Sequence, residues 1–432
     1  MAVGRLPQVA SVLRRRFGRR RTARGAARHR VLARLACIAA FAAACTEQHS
    51  PIGDLRILRD TVADTVFVKV ESGSIWQSAA VLVEDLRIGV LDGPDEYIFG
   101  DVVAVAPDRE GGLYAFDRQV PALRQYDSAG RYVRTLGRRG SGPGEYQSVS
   151  GVVVAEDGRV WTHDAGLHRV TIYGQDGTPI RHWPVRSGLF DNNSLLVDSN
   201  GNVFVKIITE RRMPGRPFSG PFPIGLLKMD IEGNILDTLH PPPNRSAGYM
   251  DGPLGTRMVW TVHPLATVYG VNNAYEFTVR RGDAPHLRVS RNYARLALSD
   301  MEWDAYEALR QWEILDEGPA EHSVPTPRQK PVYRGFEVAE DGRIWVDKYM
   351  PATLRPTSPP RAGERPEIPF DEPPAFDVFE HDGAYLGELV LPNRVTPVWF
   401  GSRHVYGLAV GGAGEQLIVR FNLLAPPTGR AK

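Results

Sequence analysis

The sequence predicts an all-β fold: a six-bladed β-propeller of four-stranded antiparallel blades, closed by an N-terminal strand and carrying one inserted helix. Three observations predict it. From about Phe99 onward one pattern recurs, in which an apolar strand, an acidic-Gly turn, a second strand, a connection, a third strand, another Gly turn and a fourth strand follow in order. The first-turn glycines at 112, 158 and 201 stand 46 and 43 residues apart, inside the range of propeller blades. The last copy supplies only three strands, while the apolar stretch Val81 to Val90 precedes the first copy and has no place in it. A strand from the opposite terminus would complete that blade and remove the free sheet edges.

The N-terminus reads as an export signal. Residues 1–45 hold 11 arginines and no Asp or Glu, and end in the apolar run Leu35 to Ala44 followed by Cys45. That run is too short to span a bilayer, which takes about 20 residues. Ala42, Ala43 and Ala44 before Cys45 resemble a lipobox, with Ala42 where Leu is usual, and the resemblance implies cleavage and acylation of Cys45. The other reading of Cys45 is a small residue in a cleaved signal. Cys37 and Cys45 are the only cysteines, so a mature chain would have no disulfide and would depend on a large buried core. Without the first 45 residues, 41 basic residues face 50 acidic ones, a net charge of −9. Phosphate backbones are held by Lys and Arg, so nucleic acid is excluded as a partner.

The copies follow in order. The first has Val102 to Val105, Leu113 to Asp117, Leu123 to Tyr126 and Tyr132 to Leu136. The second has Val152 to Val154, Val160 to Asp164, Val170 to Tyr173 and Ile180 to Val185. The third has Leu195 to Val197, Val203 to Ile208, Leu226 to Met229 and Ile235 to Leu239. A fourth, with weaker turns, runs from Val259 to Val289. The fifth has Phe336 to Val338, Ile344 to Asp347, Ala375 to Phe379 and Tyr385 to Leu391, and the sixth Val398 to Phe400, Val405 to Val410 and Leu417 to Phe421. Asp-Gly and Asn-Gly pairs at the turns supply positive φ and a side chain that bonds its own backbone.

The segment Gly137 to Tyr146 reads GRRGSGPGEY. With flanking strands that end in Asp117 and Asp164, it resembles the blade connection of NHL-repeat propellers, and the chain as a whole resembles bacterial six-bladed propeller lipoproteins. The resemblance covers roughly Asp60 to Leu424. The domain boundaries follow: 1–45 signal peptide, 46–80 tether and N-terminal extension, 81–424 propeller and 425–432 tail. Gly140, Gly142 and Gly144 do not form a dinucleotide fingerprint, because Pro143 interrupts them and no helix pattern follows.

In a four-stranded meander the second-to-third and blade-to-blade connections share one face. Every long insertion falls there: Arg211 to Pro223, His240 to Met258, Tyr293 to Val332 and Pro351 to Pro374, together with Gly137 to Tyr146. Long loops in a compact fold are functional or merely cover blade ends. One insertion contains a helix, Ser299 to Ile314, opened by a Ser299–Glu302 capping box, with Met301, Ala305, Leu309 and Trp312 on one face. It reads either as a plug against blade ends or as a mobile lid. Arg138, Arg139, Glu145, Tyr146, Arg211, Arg212, Trp303 and Trp312 are the binding-face candidates, since Arg and aromatic side chains anchor interfaces.

No compact catalytic motif occurs, whether HExxH, GxSxG, CxxC or a phosphate loop. His163 and Asp164 are strand neighbours and point to opposite sides of a sheet, which weakens them as joint ligands. Asp117, Asp164 and Asp347 end equivalent second strands and would line a divalent-cation site in a lactonase-like hydrolase or lyase. Alternatively, each orders the loop that follows it. The favoured expectation is a noncatalytic binding or scaffolding module with no cofactor. It would be periplasmic or anchored to the outer membrane through lipid alone, and would engage an envelope protein, peptide or glycan.

Overall fold

Glycines at positive φ make each copy an antiparallel sheet. The computed structural model describes residues 55–186, 195–210, 222–243, 252, 254–317, 324–356 and 363–424. In it Gly111, Gly158, Gly201 and Gly342 close the first turns with φ of 84, 76, 77 and 81°. In the first copy this residue is Gly111, one position before the Gly112 of the repeat spacing.

Strands are lettered A to D from the innermost outward. Blade one is Val102–Pro107, Leu113–Asp117, Ala122–Tyr126 and Tyr132–Leu136. Blade two is Val149–Val154, Val160–Asp164, Arg169–Tyr173 and Pro179–Pro184. Blade three is Leu195–Val197, Val203–Ile208, Ile224–Met229 and Ile235–Leu239. Blade four contains Met258–His263, Ala266–Val271, Glu276–Arg280 and His286–Arg291. Blade five is Gly335–Val338, Ile344–Lys348, Ala375–Phe379 and Tyr385–Val390. Blade six takes Val395–Phe400, His404–Val410 and Gln416–Leu424 from the C-terminal part, and its D strand is Val81–Ile88. The ring therefore closes as the strand count predicts. In blades one, two, three and five the C–D ladder slips at the same place, at Gln125/Tyr126, Ile172/Tyr173, Lys228/Met229 and Val378/Phe379. A bulge there adds twist just before the second Gly turn.

Residues 55–80 do more than the sequence indicates. Arg56–Val62 and Thr65–Ser72 form a hairpin, and its second strand pairs in parallel with the outer strand of blade four, from Thr65↔His286 to Val70↔Arg291. Blade four thus becomes a six-stranded sheet. The chain then follows the outer strand of blade five, where Ile75, Trp76 and Ala80 donate backbone N–H bonds to Tyr385, Leu386 and Glu388 at 3.1, 2.8 and 2.9 Å. Only then does it enter blade six. Trp76 is buried against Gly387, where an added Cβ would lie 2.7 Å from the indole ring. The glycine makes room for the tryptophan.

A buried apolar cluster fills every seam between blades. Leu113, Tyr126 and Ile418 join blades six and one, Phe116, Tyr146 and Tyr173 blades one and two, and Trp161, Trp183 and Val203 blades two and three. Val268, Phe277 and Phe336 join blades four and five, and Trp345, Phe376 and Val405 blades five and six. The seam of blades three and four is the thinnest among the described residues, with Phe204, Leu226 and Val262 as its buried members. Blades four and five also share a buried charge. Asp377, fully enclosed, accepts from Tyr275 Oη at 2.6 Å, Tyr385 Oη at 2.8 Å and Arg291 Nη1 at 2.5 Å, and meets Lys348 Nζ at 3.3 Å. Burial alone would raise its pKa, but Lys348, Arg291 and the two phenols outweigh that and hold it at about 2.

Candidate functional site

The insertions build a cap on one face, and it begins with a local signal. Ser299 Oγ accepts from the Glu302 N–H at 3.2 Å, and Glu302 Oε2 accepts from the Ser299 N–H at 2.9 Å. This capping box opens helix α1, Asp300–Glu317. The buried stripe differs from the apolar one the sequence indicates. Met301 is 60% exposed, whereas Glu302, Leu309 and Glu313 are buried and Tyr306 is half-buried. The reason is electrostatic, because Glu302 and Glu313 are buried only through cationic partners that hydrophobic periodicity cannot register.

Lys330 is the partner of Glu302. Its ammonium is 1% exposed and lies 2.7 Å from Glu302 Oε1, 2.9 Å from Glu372 Oε1 and 3.0 Å from the Met350 carbonyl. Arg334 donates to Glu372 Oε2 and, at 2.8 Å, to the Lys348 carbonyl, and its guanidinium lies 4.1 Å from the centre of the Tyr349 ring. Glu372 belongs to the insertion of blade five and Glu302 to the connection between blades four and five. Two basic side chains thus staple the two insertions together. Glu313 pairs with Arg365 at 2.8 Å, and Trp312 Nε1 donates to the Gly363 carbonyl at 3.3 Å. An apolar cluster of Leu254, Leu298 and Tyr349, with Trp303 and Tyr306 packed against it, brings in the connection between blades three and four. Fastened at this many points, α1 is built as a plug.

The three sequence-selected carboxylates take two different roles. Asp117 accepts backbone N–H bonds from Gly100 at 2.9 Å, Asp101 at 3.1 Å and Gln119 at 2.9 Å. Asp164 does the same for Gln147 at 2.8 Å, Ser148 at 3.1 Å and Leu167 at 2.9 Å. Asn272 replaces the carboxylate in blade four, accepting from the Arg257 N–H at 2.8 Å. These side chains clamp the B–C turn to the incoming connection. Asp347 instead faces Arg334, with Oδ1 3.4 Å from Nη1. Burial pushes its pKa up to about 6, and Arg334 offsets only part of that. Among the described residues no group of three or more His, Cys, Asp or Glu is placed to hold a metal ion. His163 is fully buried, its Nδ1 3.0 Å from Ser150 Oγ, and burial lowers its pKa to about 4.

The GRRGSGPGEY connection folds on itself. Arg138–Arg139 and Glu145–Tyr146 pair as short parallel strands. Gly137 has φ of 71°, and a Cβ there would lie 2.4 Å from both the Gly144 carbonyl oxygen and the Tyr146 ring. Arg138, 83% exposed, pairs with Glu145 at 2.9 Å, and Arg139 donates to the Gln119 carbonyl at 3.2 Å. The Gly142 N–H and then Arg138 hold the Glu145 carboxyl below its usual pKa. Tyr146 is 1% exposed, a seam residue and not a surface anchor. Trp303 is half-buried under Arg328, whose guanidinium lies 4.0 Å from the ring centre. Arg211, Arg212 and Cys45 lie outside the described residues. Beside the thin seam is a cavity of about 520 Å³, lined by Glu210, Thr238, His240, Thr267 and Arg280 among others.

Sequence reasoning missed Lys330, Arg334 and Glu372, which tie the cap together. No local signal marks them, since their partners lie one insertion away.

The fold and this cap define a six-bladed propeller with a built insertion face. No family model and no curated relative matches the chain. Several solved structures are similar to the chain. A member of the DUF4221 family from Bacteroides vulgatus is 12% identical, with 80% of this chain and 99% of that chain covered and a TM-score of 0.49. A candidate exported protein from Bacteroides fragilis is 11% identical over 80% of this chain and 95% of that chain, with a TM-score of 0.45. A gluconolactonase from Xanthomonas campestris is 13% identical over 87% and 91%, with a TM-score of 0.36. No helix of the described residues is long and apolar enough to cross a membrane.

Proposed function

We propose that this chain is an exported propeller that binds a partner through its insertion face without catalysing a reaction, and that an acyl chain on Cys45 tethers it to the membrane. The observation that supports this reading most is Lys330, a buried ammonium shared by carboxylates from two separate insertions. Burying such charges is costly unless geometry is good, and slack loops covering blade ends have no need of it. The cap holds a rigid outer surface on which Arg328 and Arg365, each 62% exposed, stand near the aromatic Trp303 and Trp312. Arg138 adds a further exposed cation on the same face. Rigid Arg and aromatic side chains suit a protein, peptide or glycan epitope. Asp117 and Asp164, the carboxylates that a hydrolase or lyase reading would need, serve backbone amides.

The test compares faces. The mature chain is immobilised and challenged with detergent-solubilised envelope and with a glycan array. Charge reversal of Arg328 and Arg365 is expected to abolish the captured species, while reversal of Arg109 and Arg131 in the Gly turns of the opposite face leaves it. Equal loss from both faces, or from neither, refutes the reading. Stoichiometric divalent metal in protein purified without chelator would favour the hydrolase or lyase instead. Acylation is checked by palmitate labelling, which Cys45→Ser should remove.

A further inference from the structure

The strand Arg56–Val62 is the outermost of the six-stranded sheet, bonded to Thr65–Ser72 on one side and to no strand among the described residues on the other. Its free side has a defined pattern. The two-residue loop Ala63-Asp64, with Ala63 at φ of 53°, closes the hairpin on the pair Val62↔Thr65. Such loops close on a hydrogen-bonded pair, so Leu58, Asp60 and Val62 direct their backbone groups to the partner strand, and Ile57, Arg59 and Thr61 direct theirs outward. Thr61 accordingly donates its N–H to a side chain, Asp60 Oδ1, at 2.8 Å. The side chains alternate as well. Ile57 packs against the core shared with blade five, and Arg59 pairs with Asp382 at 2.7 Å. Arg56, Leu58 and Asp60 therefore share the opposite face, where all three are exposed, Leu58 by 55%.

We propose that this strand pairs antiparallel with the same strand of a second copy of the chain, about a two-fold axis at Leu58, and joins two six-stranded sheets edge to edge. A symmetric pairing that continues both sheets has to be centred on one residue, because a one-residue slip would turn each face of one copy against the opposite face of the other. Centring on Arg59 or on Asp60 sets like charges against each other. Centring on Ile57 sets Leu58 opposite Arg56, and centring on Thr61 sets Asp60 opposite Val62. Leu58 alone gives complementarity: the two leucines meet at the axis, and Arg56 of each copy faces Asp60 of the other. These three positions are the non-hydrogen-bonded ones, where opposed side chains are closest, while the outward backbone groups of Ile57 and Arg59 supply the ladder. A free edge invites pairing, and the charge register makes this edge selective for its own sequence. The pairing does not depend on what the insertion face binds.

The test uses the mature chain from Thr46, made without acylation. Analytical ultracentrifugation over a dilution series is expected to show a concentration-dependent dimer of this chain alone. Arg56→Asp and Asp60→Arg should each abolish it, because each sets like charges face to face, and the double reversal should restore it with the charges exchanged. All three positions are exposed, so far-ultraviolet circular dichroism should show that every variant folds. Leu58→Cys supplies a second readout, since Cys37 and Cys45 are the only cysteines of the sequence and a chain from Thr46 has none. Facing Cα atoms at a non-hydrogen-bonded position lie about 4.5 Å apart, within disulfide reach. Mild oxidation should therefore link two chains through residue 58, and adding Arg56→Asp should prevent it. A chain that is monomeric at every concentration, or a dimer indifferent to the single reversals, overturns the proposal. Flotation of that monomer with phosphatidylglycerol vesicles would overturn it in favour of a lipid surface.

Discussion

A lysine side chain that is 1% exposed needs acceptors around its ammonium, and Lys330 has two carboxylates and a carbonyl. Replacing it with Met keeps the volume and strands Glu302 beside a partner it no longer has. Removing one member of a buried pair costs about 3–5 kcal/mol. Lys330→Met should therefore lower the unfolding free energy in urea by an amount of that order, and adding Glu302→Gln should recover part of it. A loss under about 1 kcal/mol, the ceiling for a surface pair, would show that the staple does not hold the cap. Asp347 gives a prediction in pH. Its carboxyl titrates near 6 in the folded chain, above the ordinary 3.8. Between those values the folded state binds more protons than the unfolded one, so this residue's contribution to stability is greatest below pH 4 and falls as pH rises towards 6 and beyond. The loss is roughly 1–3 kcal/mol. Asp347→Asn removes it, so the melting temperature of the variant should gain on the parent between pH 4 and pH 7, and parallel profiles would refute the assignment. At this scale the sequence reveals what is local. The Ser299–Glu302 box spans three residues and is legible, whereas Lys330 meets Glu372 across an insertion and leaves no pattern.

Elements were legible where a short apolar run follows a tight Gly turn. Leu113–Asp117 and Val160–Asp164 are buried throughout and each follows such a turn, so both stand out. Arg56–Val62 is exposed at six of seven positions, shows no alternation, and gave no strand signal. What fixes residues 55–80 is backbone pairing to blades four and five plus one large side chain, Trp76. Gly387→Ala places a methyl 2.7 Å from that indole. It should destabilise the protein, and so should Trp76→Ala, by about 3–5 kcal/mol as for other buried tryptophans. The two are expected to couple, because once the indole is gone the new methyl keeps only the backbone strain of a side chain at φ 153°. Thermal denaturation of the two singles and the double closes the cycle. Additive losses would mean that the glycine serves its backbone conformation alone.

For the whole molecule, the decisive element is the strand that comes from the other end of the chain. Counting strands predicted it, because three strands at the C-terminal end and an unassigned one before blade one can only be reconciled by closure. The thin seam between blades three and four could not be foreseen, since seam thickness depends on which side chains meet across blades and not on any pattern within one. Val81–Ile88 pairs along Gln416–Leu424 from Val81↔Leu424 to Ile88↔Ile418, and its inward residues Leu86 and Ile88 pack with Tyr126 of blade one. A chain that starts after Ile88 would lose the blade-six edge, the seam packing and the strap over blades four and five together. The uncovered strand contains Leu417 to Phe421, a run with strong β propensity that would then present unpaired backbone groups. That truncation is therefore expected to aggregate, whereas a chain beginning at Ser74 keeps Trp76 and the closing strand and should stay monomeric with a lowered melting temperature. Size-exclusion chromatography of the two chains decides it. A monomeric, cooperatively melting protein that begins after Ile88 would mean that ring closure by the N-terminal strand is dispensable, and that the seams alone hold the six blades in their circle.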